Sequence, residues 1–298
     1  MSVALLEPGS PEWLRTPTAS KIPAILGVSR HQSQFACWHE MAGIVEPAPV
    51  DEQTQEMFDY GHAAELAARE YWLRRNPGWR ASRREVQYHR TDLPGISLAV
   101  ATIDRRASRG KARKIVEIKT ARDLEEFGDD GSGEVPVDYA VQVTWQMIVT
   151  HIRTADLVLW PDYGRPRVYP IEFDEDLAQR IITRVAAWEQ SLASGVRPDL
   201  DNSVYTYECL RRLHPDIDRG AEIELDEDFA AEYLRTVADR KLIDAEERGL
   251  KIQLLDRMGR AQYAMCQGHK IADRRNAKGD TVSLYANTRS EFLDGVPA

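Results

Sequence analysis

AVATIDRRASRGKARKIVEIKT, residues 99–120, sets two apolar runs around a polar centre and carries an acidic group in each. In KIVEIKT the two-residue period of a strand sends Ile115, Glu117 and Lys119 to one face and Val116, Ile118 and Thr120 to the other. Removing a carboxylate from water is costly unless it is paired or bound to a cation. Asp104 closes the other run, SLAVATID. A hairpin of the two runs through the polar loop RRASRGKAR brings Asp104 and Glu117 to one small site. With the backbone carbonyl of Ile118 they supply the hard oxygen donors that Mg²⁺ and Mn²⁺ take. Lys119 stands beside them, where an ammonium group helps activate a water or offsets negative charge in a transition state. A plain surface hairpin with a Glu/Lys cross-strand pair satisfies the same pattern, so the strands alone leave both readings open.

Three further segments bear on the choice. Residues 61–75 read as a helix, rich in Ala and Leu and free of proline until Pro77. Glu65 lies on its stripe with Ala68 and Trp72, a half-apolar seat for a carboxylate; an ion pair with Arg69 at i+4 is the simpler reading. In VDYAVQVTWQMIVT, from residue 137, helical spacing aligns Asp138, Gln142 and Gln146 as a polar seam on an apolar segment. Neutral amides touch an anion without repelling it, although satisfied buried amides are an equally ordinary outcome. Near the N-terminus, TASKIPAILG predicts a short helix with Ser20 as N-cap, Pro23 in its first turn and Gly27 as terminator.

The composition is that of a globular protein, with a hydrophobic fraction of 43% over 298 residues. No apolar run approaches the length of a membrane span and the start is too short and acidic for a signal peptide, so a cytoplasmic location is expected. Cys37, Cys209 and Cys266 are far apart and form no CxxC, which argues against a disulfide framework or an iron–sulfur cluster. The net charge of −9 opposes nucleic-acid binding at first sight. The basic residues, however, collect at 74–84 and 105–114, around the acidic pair, and the acidic ones at 123–134 and in the C-terminal third. Such a distribution focuses a positive field where an anionic substrate enters, while solvated arginine faces explain the same runs.

Taken in order, WLRTPTASKIPAILGVS, MFDYGHAAELAAREYW, ATID, VEIKT and VDYAVQVTWQM resemble the lambda exonuclease and YqaJ-like recombinase group of the PD-(D/E)XK nucleases. The resemblance runs from about residue 13 to residue 160. One departure is that Thr102-Ile103-Asp104-Arg105 stands where the family carries a Pro-Asp-Gly type motif. The resemblance implies an α/β (α+β) core with a central mixed β-sheet flanked by helices. It implies a Mg²⁺-dependent DNA exonuclease, 5′ to 3′ on duplex ends, that makes single-stranded DNA for phage-type recombination. Asp104, Glu117, Lys119 and Gln142 become the catalytic group. Glu65, Asp104, Glu117 and the Ile118 carbonyl hold two Mg²⁺ ions, with Mn²⁺ as substitute, and Arg15 and Ser20 grip the 5′-phosphate. Double-stranded DNA ends, a single-strand annealing protein and a homo-oligomer, a trimer, are the implied partners. An endonuclease or repair nuclease on the same core, and a noncatalytic DNA-binding phage protein, are the alternatives.

Beyond the core, residues 155–160 and 167–173 predict two strands joined by PDYGRP, and 174–193 an amphipathic helix. The expected division is a nuclease core over 1–200, a linker or clasp over 201–222, and a C-terminal helical and hairpin region over 223–298. That last region combines a long charged helix from residue 225 with a hairpin turning at NAKGD, whose basic residues Lys270, Arg274, Arg275 and Lys278 leave room for DNA contact.

Overall fold

The structure, a computed structural model, describes residues 5–122, 124–288, 290 and 292. It divides into two units, Met1–Ile217 and Asp218–Ala298. The first contains helices α1 (Pro11–Arg15), α2 (Ile22–Ile25), α3 (Gln34–Met41) and α4 (Glu52–Arg75), then strands β1 (Arg80–Ala81), β2 (Val86–Arg90), β3 (Ala99–Ile103), β4 (Arg105–Arg109) and β5 (Ala112–Ala121). It continues with α5 (Val137–Thr150), β6 (Thr154–Pro161), β7 (Arg167–Glu172), α6 (Glu175–Ser194) and α7 (Val204–Leu213). The second contains α8 (Glu227–Met258) and strands β8 (Tyr263–Cys266), β9 (His269–Ala277) and β10 (Thr281–Ala286). Among the described residues no helix is long and apolar enough to cross a membrane.

The first unit is the expected α/β arrangement, a mixed sheet ordered β1-β4-β5-β6-β7 with helices on both faces. Only β5 and β6 run parallel, joined by the α5 crossover. Both faces of β6 are covered, so TADLVLWP reads as a near-continuous apolar run. The alternation read from KIVEIKT holds. Val116 and Ile118 pack with Ala68 and Trp72 of α4, while Ile115 packs with Val143 and Met147 of α5.

One expectation fails. RRASRGKAR is not a loop joining SLAVATID to KIVEIKT; its first half is β4, antiparallel to β5 with Arg105 opposite Val116 and Arg109 opposite Ala112. Arg105 and Ala107 are buried while Arg106 is exposed, a strand alternation disguised by an arginine on the inner face. The chain bends at Asp104, so the strand before it leaves the main sheet and pairs with β2. Trp145 Nε1 donates to Val100 O (3.1 Å) and Gln146 Nε2 to Thr102 O (3.2 Å), which ties β3 to α5 and fixes where Asp104 emerges.

Ser20 is not an N-cap either. Lys21 occupies that position of the four-residue α2, with no capping side chain, and Gly27 follows the helix at φ +75°. Within the segment expected as a linker or clasp, α7 packs on α3: Cys209 is buried with Phe35, Ala36 and Val45, and Thr206 Oγ1 bonds Ser33 Oγ (2.8 Å). In the second unit the long helix and the NAKGD hairpin form as read, and β8 adds a third strand, in the order β10-β9-β8.

Asp156, on the α4 face of β6, is 3% exposed and accepts from Trp72 Nε1 (2.7 Å) and Lys114 Nζ (2.8 Å). Asp156→Ala strands both donors and is expected to destabilise the first unit by about 1–3 kcal/mol. All seven tryptophans lie between residues 13 and 188, so urea unfolding followed by tryptophan fluorescence measures this unit; an unchanged midpoint contradicts the assignment.

Candidate active site

One register step beyond the Arg105–Val116 pair, Asp104 stands beside Glu117, and its Oδ2 accepts the Ile118 amide (2.7 Å) at the edge that β4 vacates. Glu117 is 2% exposed and fully engaged. Its Oε1 receives Lys119 Nζ (2.8 Å) and Gln142 Nε2 (2.7 Å), and its Oε2 receives Gln146 Nε2 (2.7 Å). Two amides at i and i+4 on α5 thus reach one carboxylate on β5. The polar seam of α5 has a third member: Asp138, 4% exposed, is gripped by Arg30 through Nε–Oδ2 and Nη2–Oδ1, both 3.0 Å.

These groups open on a cleft of about 770 Å³ whose lining includes Glu65, Asp104, Ile118, Lys119, Tyr139 and Ser20. Tyr139 lies 5.5 Å from Lys119 Nζ and 5.2 Å from the Arg30 guanidinium, measured to its ring centre, so the cleft wall is cationic and aromatic. Burial pushes the Asp104 carboxyl well above the ordinary aspartate value. Glu117 and Glu65 add to the rise, against Lys119 and the Ile118 amide. Burial pulls the Lys119 ammonium down, but Glu117 and Asp104 outweigh it and hold its pKa above the ordinary lysine value. Lys119 therefore stays protonated and donates.

Glu65 does not pair with Arg69. Its Oε2 accepts from Arg105 Nη2 (2.9 Å), whose Nη1 also bonds Asp104 O (2.6 Å). Arg69 goes instead to Ser82 O and Ala81 O. Arg105 is 3% exposed and its Nε has no partner. It is the functional neighbour that sequence reading passed over, although the departure from Pro-Asp-Gly at this position marked it. Gln146, read as a neighbour of the site, holds Glu117 as firmly as Gln142 does. Arg15 is the residue the structure leaves out: it lines a separate concavity with Met41, Ser97 and Glu189, and its guanidinium lies against Gly43. The helix it ends, α1, packs on α3, whereas Ser20 lines the cleft.

The donor set fits a hard divalent cation. Asp104, Glu117, Glu65 and the Ile118 carbonyl are all oxygen donors, and a cation would offset both the burial of the Asp104 charge and the carboxylate repulsion that adds to it. Among the described residues no three Asp, Glu, His or Cys groups form a ready-made cage. Glu65 is drawn to Arg105, and both Glu117 oxygens are already hydrogen-bonded.

Residues 13–153 match the YqaJ-like viral recombinase domain. This segment, somewhat under half of the chain, is similar to that domain. Glu65, Asp104, Glu117, Lys119, Gln142 and Gln146 all lie within it. The fold is also similar to an alkaline exonuclease from Laribacter hongkongensis, 20% identical over 61% of this chain and 90% of the other, with a TM-score of 0.47. A phage-related exonuclease from Haemophilus somnus 129PT is 16% identical over 61% and 95%, with a TM-score of 0.44. No curated protein matches the chain.

A carboxyl whose pKa is raised in the folded first unit, as that of Asp104 is, stabilises it most below the unfolded value, about 3.9, and this contribution is lost as pH rises through the folded value. Asp104→Asn mimics the protonated form. In chelator it is expected to resist urea better than the native protein at pH 8, with the advantage shrinking as pH approaches 4. A variant less stable at pH 8 contradicts the electrostatic account.

Proposed function

We propose that the first unit is a metal-dependent deoxyribonuclease, an exonuclease that hydrolyses duplex DNA from its ends, 5′ to 3′, leaving single-stranded DNA for recombination. The observation that carries the reading is the convergence of Glu65, Asp104 and Lys119 on one cleft, with the buried Glu117 bonded to Lys119 and fastened by Gln142 and Gln146 from α5. A structural ion pair has no need of a cleft, a second carboxylate or two amides. The domain match supports the reading from the sequence side.

Asp104, Glu117 and the Ile118 carbonyl would hold Mg²⁺, as two ions, or Mn²⁺ in its place, and Glu65 would contribute the oxygen that Arg105 leaves to it. The bound metal supplies Lewis-acid stabilisation of the phosphoryl oxygens and a water of lowered pKa. The chain's own residues do the rest. Lys119, kept cationic by Glu117 and Asp104, neutralises charge as it accumulates on the phosphate. Gln142 and Lys119 share Glu117 Oε1, so the amide sets where the ammonium sits. Ser20, on the cleft wall, offers its hydroxyl to the phosphate of the strand end. The resemblance extends the proposal to a trimer and a single-strand annealing partner.

The test is a linear duplex labelled at its 5′ ends beside a covalently closed plasmid. With Mg²⁺ the label is expected to leave as short product while the plasmid stays closed, and chelator is expected to stop the release. Nicking of the plasmid overturns the exonuclease reading, and digestion in chelator overturns the metal. Lys119→Ala is expected to slow release by about 10²–10⁴-fold while Mn²⁺ binding by calorimetry persists; full activity removes the lysine from its role.

A further inference from the structure

In the second unit, residues 257–278 carry six basic side chains against one acidic, Asp273. The sheet registers Tyr263 of β8 opposite Asp273 of β9, and Asp273 opposite Tyr285 of β10. Directly opposed residues project from one face of a sheet, so the two tyrosines flank Asp273 in a single row, roughly 10 Å apart across two strand spacings. Arg275, two residues along β9, shares that face. Both tyrosines are exposed, at 51% and 48%, whereas Asp273 is only 8% exposed beneath them.

Asp273 acts as an anchor for cations. It accepts Arg275 Nε at 2.7 Å and lies 3.6 Å from Lys270 Nζ. The Arg275 guanidinium is 4.6 Å from the ring centre of Tyr285 and Lys270 Nζ is 5.8 Å from that of Tyr263. The adjacent row, Ala264, Ala272 and Ala286, projects the other way and includes a buried residue, Ala272. At the centre of that row Ala272 is covered, with Ala264 partly covered and Ala286 exposed at the edge, while the two large aromatics stand exposed on the opposite face. Burying tyrosines is favourable, and their placement on the open face beside fixed cations asks for a planar, anionic partner.

We propose that this face of the three-stranded sheet binds single-stranded nucleic acid, with bases stacked on Tyr263 and Tyr285 and the phosphates drawn to Arg275 and Lys270. Flat aromatics with adjacent cations are what unpaired bases on a charged backbone require, and a paired duplex offers no free base face. The inference does not rest on the nuclease reading, because binding needs no cleavage.

The experiment uses the full chain in chelator and fluorescence anisotropy with labelled oligothymidylate, oligouridylate and a duplex of the same length. The Tyr263→Ala/Tyr285→Ala double variant is expected to lose roughly tenfold or more in affinity for at least one of the single strands, with duplex affinity unchanged. Tyr263→Phe/Tyr285→Phe keeps the stacking surface and is expected to bind like the native chain, which separates stacking from a folding defect. Arg275→Gln is expected to flatten the salt dependence of single-strand binding by about 0.7 in log–log slope. Native affinity in the double alanine variant, equal loss on duplex, or failure of the phenylalanine pair to bind overturns the proposal.

Discussion

A carboxylate with almost no access to water, that of Glu117, is the constraint around which the first unit is organised. Isolated, it is far too costly to bury. It persists because three donors reach it, one from its own strand and two from α5. Those donors fix the helix on the sheet in rotation and in translation, since Gln142 and Gln146 have to arrive one turn apart over the same side chain. The same helix then pins β3 through Trp145 and Gln146, and β3 delivers Asp104. One buried charge thus sets the place of the second acid, although the two belong to segments with a strand and a turn between them.

The sheet buries a second carboxylate on its opposite face, and the contrast shows what separates chemistry from scaffolding. Asp156 meets an indole and an ammonium and lines none of the cleft; it is held in a wall of Trp72, Val116 and Val158. Asp104 accepts one amide, feels two other carboxylates, and has its pKa driven upward. Asp156 is satisfied away from the cleft, whereas Asp104 stands in electrostatic conflict on the cleft wall, where perturbed acids mark candidate functional sites.

Much of this was legible in residues 99–120. The alternation of KIVEIKT assigned Glu117 and Lys119 to one face, and the i, i+4 spacing of Gln142 and Gln146 set both on one helix face. Caps marked helix starts equally well, as at Asp174, whose Oδ1 accepts the Leu177 amide (2.9 Å). What failed were features decided by distant partners. RRASRGKAR reads as a polar loop because nothing local says that Arg105 turns inward to Glu65, forty positions earlier. Arg15 and Ser20 are five residues apart yet face different concavities, because the chain turns in the non-helical stretch between the end of α1 at Arg15 and the start of α2 at Ile22.

The net charge of −9 also resolves into geometry. Some arginines of the 74–114 region are spent on internal contacts: Arg105 on Glu65, Arg75 on Asp130, Arg109 against Trp79 at 5.1 Å. Arg105 has the sharpest consequence. The residue that follows Asp104 carries a buried guanidinium paired with Glu65, and a cation so placed offsets carboxylate charge. It offsets the charge of Glu65 and holds that side chain in place, so this carboxylate is ordered by a partner within the chain. The orphaned Nε of Arg105 is the visible cost of that arrangement.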